Sequence, residues 1–385
     1  MHKKLRLGMI GGGQGAFIGA VHRIAAQLDG MYELVCGAFS SNPEKSKASG
    51  VLLGLPEDRV YTSYQELFAR EQQLPEEKRV QVISIVTPNH VHFAPAKLAL
   101  ENGFHVILDK PMTFSLQEAL DLQKVVEQTG KLFCLTHTYT GYPMVKEARQ
   151  LIAAGKLGKV RKVYVEYPQG WLSTFKEGGD DKQASWRTDP SQSGIAGAMG
   201  DIGTHAFNLA EYVSGLEVSK LCADINVVVE GRQLDDDGAV LLKFENGASG
   251  VLFATQIAAG EENNIKIRVY GERGGIEWQQ ADANSLLLKW LDRPAEILRT
   301  GGVYTSTYAQ HNTRTPAGHP EGYLEAFANL YRNFALSVQA QEAGKQPEPE
   351  WQDYPSVEEG VRGMAFIENV IASGKSDKKW TDFTI

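Results

Sequence analysis

Apolar positions recur with two different spacings along this chain, and the change of spacing divides it. Residues 5–10 form a short apolar run that meets a crowded glycine turn. Ile18, Val21, Ala25 and Leu28 then recur at helical spacing, with Gly30 as the stop. Residues 32–39 are a second apolar run, and Ser63 with Glu66 three positions on opens another helix. Residues 80–87 are continuously apolar, the pattern of a strand buried on both faces. A helix over 94–101, a strand over 105–108, a helix over 116–128 and a strand over 132–136 follow. This alternation with short connections predicts an α/β domain over residues 1–140, a doubly wound parallel sheet of the Rossmann kind.

After residue 140 the spacing lengthens. A helix over 144–154 ends at Gly155, and strands are expected at 160–167, 219–230, 237–244, 248–257, 264–271 and 274–279. Asn246-Gly247 between two apolar runs marks a hairpin. Residues 141–385 therefore read as a second α/β domain built on a mixed or antiparallel sheet. Helices near 202–213, 320–340 and 356–372 are expected to cover one of its faces, and the polar stretch 341–352 reads as a surface connection.

Composition narrows the class. A chain of 385 residues suits two domains, and 42% apolar with 22% charged residues is ordinary for a globular protein. A net charge of −8 argues against nucleic acid or an anionic membrane as partner. Cys36, Cys134 and Cys222 are scattered, as in buried thiols of a reducing compartment. The basic start Met1-His2-Lys3-Lys4 leads into a first strand instead of a signal peptide, and no stretch is long enough to span a bilayer. The expected location is the cytoplasm.

The glycine turn is the strongest chemical signal. Gly11, Gly13 and Ala16 fit G-x-G-x-x-A, the dinucleotide fingerprint, between a strand and a helix. Gly11 would permit the turn, Gly13 the approach of a pyrophosphate, and Ala16 close packing of helix on strand. Gln14, Phe17 and Ile18 complete the candidate cofactor contacts at the helix start, where free N–H groups and the helix dipole favour phosphate. The second strand ends at Ser40 without the acidic residue that takes the ribose 2′-hydroxyl, and Lys45 is nearby. The cofactor is thus NAD or NADP, leaning to NADP or dual use.

Three further clusters stand at predicted loop positions. Thr87, Asn89 and His92 follow the third strand as cofactor candidates, and His90 with His92 lacks the neighbours a metal site needs. Asp109-Lys110-Pro111 follows the fourth strand, and Lys110 beside a cationic nicotinamide is suited to proton traffic or to holding substrate. A solvated loop lysine is the plainer alternative. Asp201 and His205, four apart at the start of a helix, form a possible carboxylate–imidazole pair that takes a hydroxyl proton during hydride transfer. A helix cap and a buried histidine would give the same letters. Trp186 and Arg187, in a stretch over 184–200 expected to be irregular, are candidates to cover the nicotinamide or touch substrate. Tyr139, Tyr142 and His319 are substrate-side candidates.

In this order and at these separations, the turn at 11–16, Thr87-Pro88 with His92, Asp109-Lys110-Pro111 and Asp201-x-x-x-His205 resemble the Gfo/Idh/MocA family of oxidoreductases. The resemblance implies a Rossmann domain and a second α/β domain with an open-faced, largely antiparallel sheet. It implies Lys110, Asp201 and His205 as catalytic residues, a sugar, sugar derivative or inositol as substrate, and a homodimer or homotetramer. Two letters depart from the family pattern. Asp109 stands where a glutamate is usual, and Asn208 where an aspartate usually follows the histidine. An NAD-dependent glycosidase and a non-catalytic sensor of the same fold are the alternative readings.

Overall fold

The computed structural model describes residues 4–177, 179 and 182–385, so the basic start Met1-His2-Lys3 lies outside the described residues. The chain forms two compact units. One comprises Met1–Thr138 with Tyr323–Val361, the other Tyr139–Gly322 with Arg362–Ile385.

The first unit carries β1 (Leu5–Gly11), α1 (Phe17–Leu28), β2 (Tyr32–Ala38), α2 (Pro43–Leu52), α3 (Tyr64–Glu71) and β3 (Val82–Val86). It continues through α4 (Phe93–Glu101), β4 (His105–Leu108), α5 (Leu116–Thr129) and β5 (Phe133–Leu135). The strands pair in parallel in the order β2-β1-β3-β4-β5. Every residue of β3 and β4 is buried, as a parallel sheet covered on both faces requires. Ser63 accepts the Glu66 N–H and Ser115 that of Glu118, so side-chain caps start α3 and α5.

The second unit holds α6 (Pro143–Ala153), β6 (Lys162–Pro168), α7 (Lys182–Arg187), α8 (Pro190–Ser193) and α9 (Thr204–Ser214). Then follow β7 (Val218–Asn226), β8 (Asp237–Phe244), β9 (Ser249–Thr255), β10 (Lys266–Tyr270), β11 (Gly274–Gln279), β12 (Ser285–Trp290), β13 (Glu296–Arg299) and α10 (Thr307–His311). After α11 (Tyr323–Glu342) and α12 (Val357–Gly374), β14 (Thr381–Asp382) closes a sheet ordered β13-β12-β11-β10-β6-β9-β8-β7-β14. Its pairs are antiparallel except β6 with β9. Val163, Val165, Leu252, Ile267 and Trp278 are buried on one face, and α9 packs against β6, β9 and β10. The other face is open. Leu241, Val251, Tyr164, Arg268, Glu277, Leu287 and Ile297 stand opposite one another across seven strands of it.

One expected placement is corrected. The helix expected to cover the second sheet, now α11, belongs to the first unit. Its Phe327, Leu330, Tyr331 and Phe334 pack with Val21 and Ala25 of α1 and with Leu5 and Leu7 of β1. Helical period shows that a stripe is buried, not which sheet buries it. The stretch 184–200, expected to be irregular, contains α7, α8 and the start of a wide turn, and β12 and β13 were not anticipated.

Candidate active site

The carboxyl end of the parallel sheet is built around the glycine turn. Gly11 and Gly12 have φ of +82° and +69°, which only glycine adopts readily. A Cβ on Gly19 would lie 2.4 Å from the Gly12 Cα, so turn and helix touch through these two glycines. This corrects the role expected of Ala16, which instead precedes α1 as its cap residue, extended and without a side-chain cap bond. Gly13 also acts differently. Its N–H goes to Phe39 O at 3.2 Å and the Gln14 N–H to Ser49 Oγ at 3.1 Å. A Cβ on Gly13 would meet Ser49 Oγ of α2 at 2.7 Å and Phe39 O at 2.8 Å, so this glycine admits α2 and the residue that follows the second strand.

These features accommodate a dinucleotide. No acidic residue occupies the first turn of α1, leaving its N–H groups and dipole open to an anion. Phe17 is exposed, and Ile18 is half-buried against the core. Thr87, after β3, has a buried hydroxyl without a hydrogen-bond partner among the described residues. It touches the turn, since a Cβ on Gly11 would sit 3.1 Å from its methyl. An orphaned hydroxyl here is what a bound polar ligand would satisfy. Ser40 Oγ accepts the Asn42 N–H at 3.1 Å, Asn42 caps α2, and Lys45 is exposed in that helix's first turn.

Behind the turn, His92 faces Pro111 O at 2.8 Å through Nδ1 and Thr87 O at 2.7 Å through Nε2. It ties together two loops, while His90 points to solvent and Asn89 is buried. Asp109 Oδ1 accepts the Lys110 N–H at 3.0 Å and the Thr136 hydroxyl at 2.9 Å. Burial alone would raise this carboxyl, yet His22, Lys110 and His92 hold it well below the usual range. Lys110 is thus anchored by its backbone at the end of β4, where ligands bind in open α/β sheets.

In the second unit, Asp201 sits in a π turn over Met199–Gly203, and α9 begins only at Thr204. Asp201 is therefore not the cap of α9, whose cap position is Gly203. Its Oδ2 accepts from Gln256 Nε2 at 2.9 Å and lies 3.5 Å from Arg187 Nε. Arg187 in turn stacks over Trp186, 4.4 Å from the ring centre. His205 is buried, and its ring meets Tyr139 edge-on at 5.0 Å and Tyr167 at 6.3 Å.

Tyr139, Tyr167 and Asn263 close a ring of hydrogen bonds. The Tyr167 hydroxyl donates to Asn263 Oδ1 at 2.7 Å and Asn263 Nδ2 donates to the Tyr139 oxygen at 3.2 Å. The remaining proton, that of Tyr139, is then directed to Tyr167. Burial raises both phenols, so they stay protonated walls of the His205 pocket. Tyr142 lies in the core, 5.2 Å from Trp278, and His319 is on an exposed turn with Nδ1 3.3 Å from Pro316 O. Sequence reasoning missed Tyr167, Asn263, Gln256 and His22. The alternation of β6 gives Tyr167 an inward position, but no local pattern ties the other three to a site.

Known proteins resemble this chain in sequence and fold. The family model described as the oxidoreductase family with an NAD-binding Rossmann fold matches residues 5–137, and the Gfo/Idh/MocA C-terminal domain matches residues 145–277. An uncharacterized oxidoreductase, YfiI, of Bacillus subtilis is 32% identical over 99% of this chain and 97% of its own. The chain belongs to the Gfo/Idh/MocA family. As a member it is an NAD-binding oxidoreductase. The crystal structure of an oxidoreductase from Sinorhizobium meliloti is 45% identical with a TM-score of 0.89, covering 99% of this chain and 100% of that one. An inositol dehydrogenase homolog from Azotobacter vinelandii, complexed with NADH and myo-inositol, is 33% identical with a TM-score of 0.90, over 100% and 98% of the chains. Within this family member, no helix of the described residues is long and apolar enough to cross a membrane.

Proposed function

We propose that this oxidoreductase is a dehydrogenase of a secondary hydroxyl on a sugar, sugar derivative or inositol. A nicotinamide cofactor, when bound, supplies the hydride acceptor or donor. In this reading Lys110 holds and polarises the reacting oxygen, His205 exchanges its proton, and Asp201 orients the substrate side. The anchoring of Lys110 on Asp109, at the ligand-binding end of the parallel sheet, is the observation that carries it. The buried, aromatic-walled His205 and an Asp201 already held by Gln256 and Arg187 support the same roles. The myo-inositol complex of the Azotobacter relative supports the substrate class.

The cofactor choice follows from Ser40. With a hydroxyl in place of a carboxylate and Lys45 close in sequence, the site accepts both NAD and NADP. We further propose a homodimer or homotetramer formed through the open sheet face, on which Leu241 and Ile297 are exposed.

A screen of polyols, aldoses and glycosides with each cofactor, read at the nicotinamide absorbance, tests the activity. Lys110→Ala and His205→Ala are expected to lose at least about a hundredfold in kcat while cofactor affinity stays within about threefold. Full activity in both variants would refute the assignment.

A further inference from the structure

Outside the residues assigned above, the first unit contains a buried polar chain that ends on Asp109. His22 of α1 is fully buried, and its Nδ1 lies 2.7 Å from the Tyr331 hydroxyl of α11. Tyr331 OH is 2.9 Å from Ser84 Oγ in the middle of β3. His22 Nε2 has no hydrogen-bond partner among the described residues and points at Asp109 Oδ1, 3.8 Å away. Phe327 holds the imidazole edge-on, ring centres 4.7 Å apart.

The proton positions follow from the ends of the chain. The nitrogen that faces a carboxylate carries the proton, so Nε2 is N–H and Nδ1 is bare. Nδ1 then accepts from the Tyr331 O–H, and the Ser84 hydroxyl lies 2.9 Å from the Tyr331 oxygen and 3.3 Å from the same Nδ1. Burial pushes the Tyr331 phenol well up, which keeps it a donor. The chain is directional and delivers one N–H toward Asp109. The other titratable groups that face this carboxylate are His92, Lys110 and His137, besides Tyr331 itself.

We propose that His22 and Tyr331 are positioning residues for Lys110: the chain Ser84–Tyr331–His22 fixes the Asp109 carboxylate on which the Lys110 backbone is anchored. Neither residue touches substrate or cofactor. They act through Asp109, adding the imidazole to the Thr136 hydroxyl that already holds the oxygen facing the Lys110 N–H. The inference rests on the assignment of Lys110 to the reaction. It also gives α11 a task beyond packing, because the returning helix supplies the middle link.

The test uses the full chain with Tyr331→Phe, His22→Leu and His22→Gln. At pH 7.5 the Asp109 carboxyl is followed by carbon-13 NMR, with Asp109→Asn for assignment; this readout needs no substrate. Tyr331→Phe and His22→Leu should each shift the Asp109 carboxyl resonance from its wild-type position, since the imidazole N–H beside the carboxylate is released from its partner or lost. Each should lower kcat on the best polyol about tenfold, with NAD affinity changed less than about threefold. His22→Gln, which restores an N–H donor, should recover most of both effects.

An Asp109 carboxyl resonance that stays put, or a wild-type kcat when it moves, overturns the proposal. If His22→Leu does not fold, Tyr331→Phe, which removes a single oxygen, carries the test. Lys110→Ala separates the two levels. If that variant is dead while the Asp109 resonance is unmoved in Tyr331→Phe and His22→Leu, only the positioning chain falls. If it is fully active, the reading of Lys110 falls and the proposal with it.

Discussion

Gly19 packs on Gly12 so closely that a Cβ added to Gly19 would come within 2.4 Å of the Gly12 Cα and 2.6 Å of its carbonyl oxygen. Both atoms are backbone and cannot swing aside. The first turn of α1 is thereby pressed onto the glycine loop, which sets where the helix N–H groups point. Gly19→Ala should cost about 1–3 kcal/mol by overpacking and weaken NAD binding at least about tenfold. Calorimetric titration with NAD and a thermal melt check it. Ala16→Gly, at the fingerprint position, should change affinity far less.

Asp235 is the corresponding clamp in the second unit. Its two carboxylate oxygens take the Gly197 N–H at 2.6 Å and the Met199 N–H at 2.7 Å, and its carbonyl takes the Ala198 N–H at 2.8 Å. These three residues lead into the π turn that carries Asp201. Asp235→Asn sets an amide NH2 against one backbone N–H, leaving a buried donor unsatisfied. The expected loss is about 1–3 kcal/mol in stability with a fall in kcat larger than any rise in NAD dissociation constant. Denaturant melts and steady-state kinetics separate the two.

Two buried histidines set an acid limit on stability. Burial, with Lys131 nearby, pushes His105 down to about 3, and burial with Lys110 does the same to His137. The His105 Nδ1 accepts the Leu132 N–H at 3.0 Å, as a neutral imidazole can. The unfolded chain binds protons at these sites below about pH 6.5 while the native state does not, so stability is full above that pH and falls on acidification. At pH 4.5 each site should cost about 3 kcal/mol. His105→Asn keeps an acceptor for Leu132 without the proton site, and should remove about half of this loss in melts run from pH 7.5 to 4.5.

In the proposed reading, the end of the second strand chooses between NAD and NADP. Ser40 offers the ribose a hydroxyl, and Lys45 stands in the first turn of α2. Ser40→Asp should repel a 2′-phosphate and raise the NAD-over-NADP ratio of kcat/KM by at least about tenfold. Lys45→Ala should move the ratio the same way by less. A wild-type enzyme that favours NAD by about a hundredfold would refute dual use.

The parallel sheet was legible in the order of residues, because short runs such as 82–86, apolar but for Ser84, alternate with helical segments over short connections. The same order marked the glycine turn and the Asp109-Lys110 corner, since φ above zero and a polar loop at a strand end leave local traces in the letters. Tertiary structure alone decided which glycines touch, for Gly12 and Gly19 differ from Gly11 and Ala16 only in what lies across from them. It likewise decided that α11 joins the first unit, where Tyr331 meets His22, 309 positions away. Helical spacing records that Tyr331 is buried; it carries no record of the partner. The same holds for Asn263 and Gln256, whose amides find Tyr139 and Asp201 through sheet register. Local chemistry is written in the order of residues, and long-range pairing is set by packing.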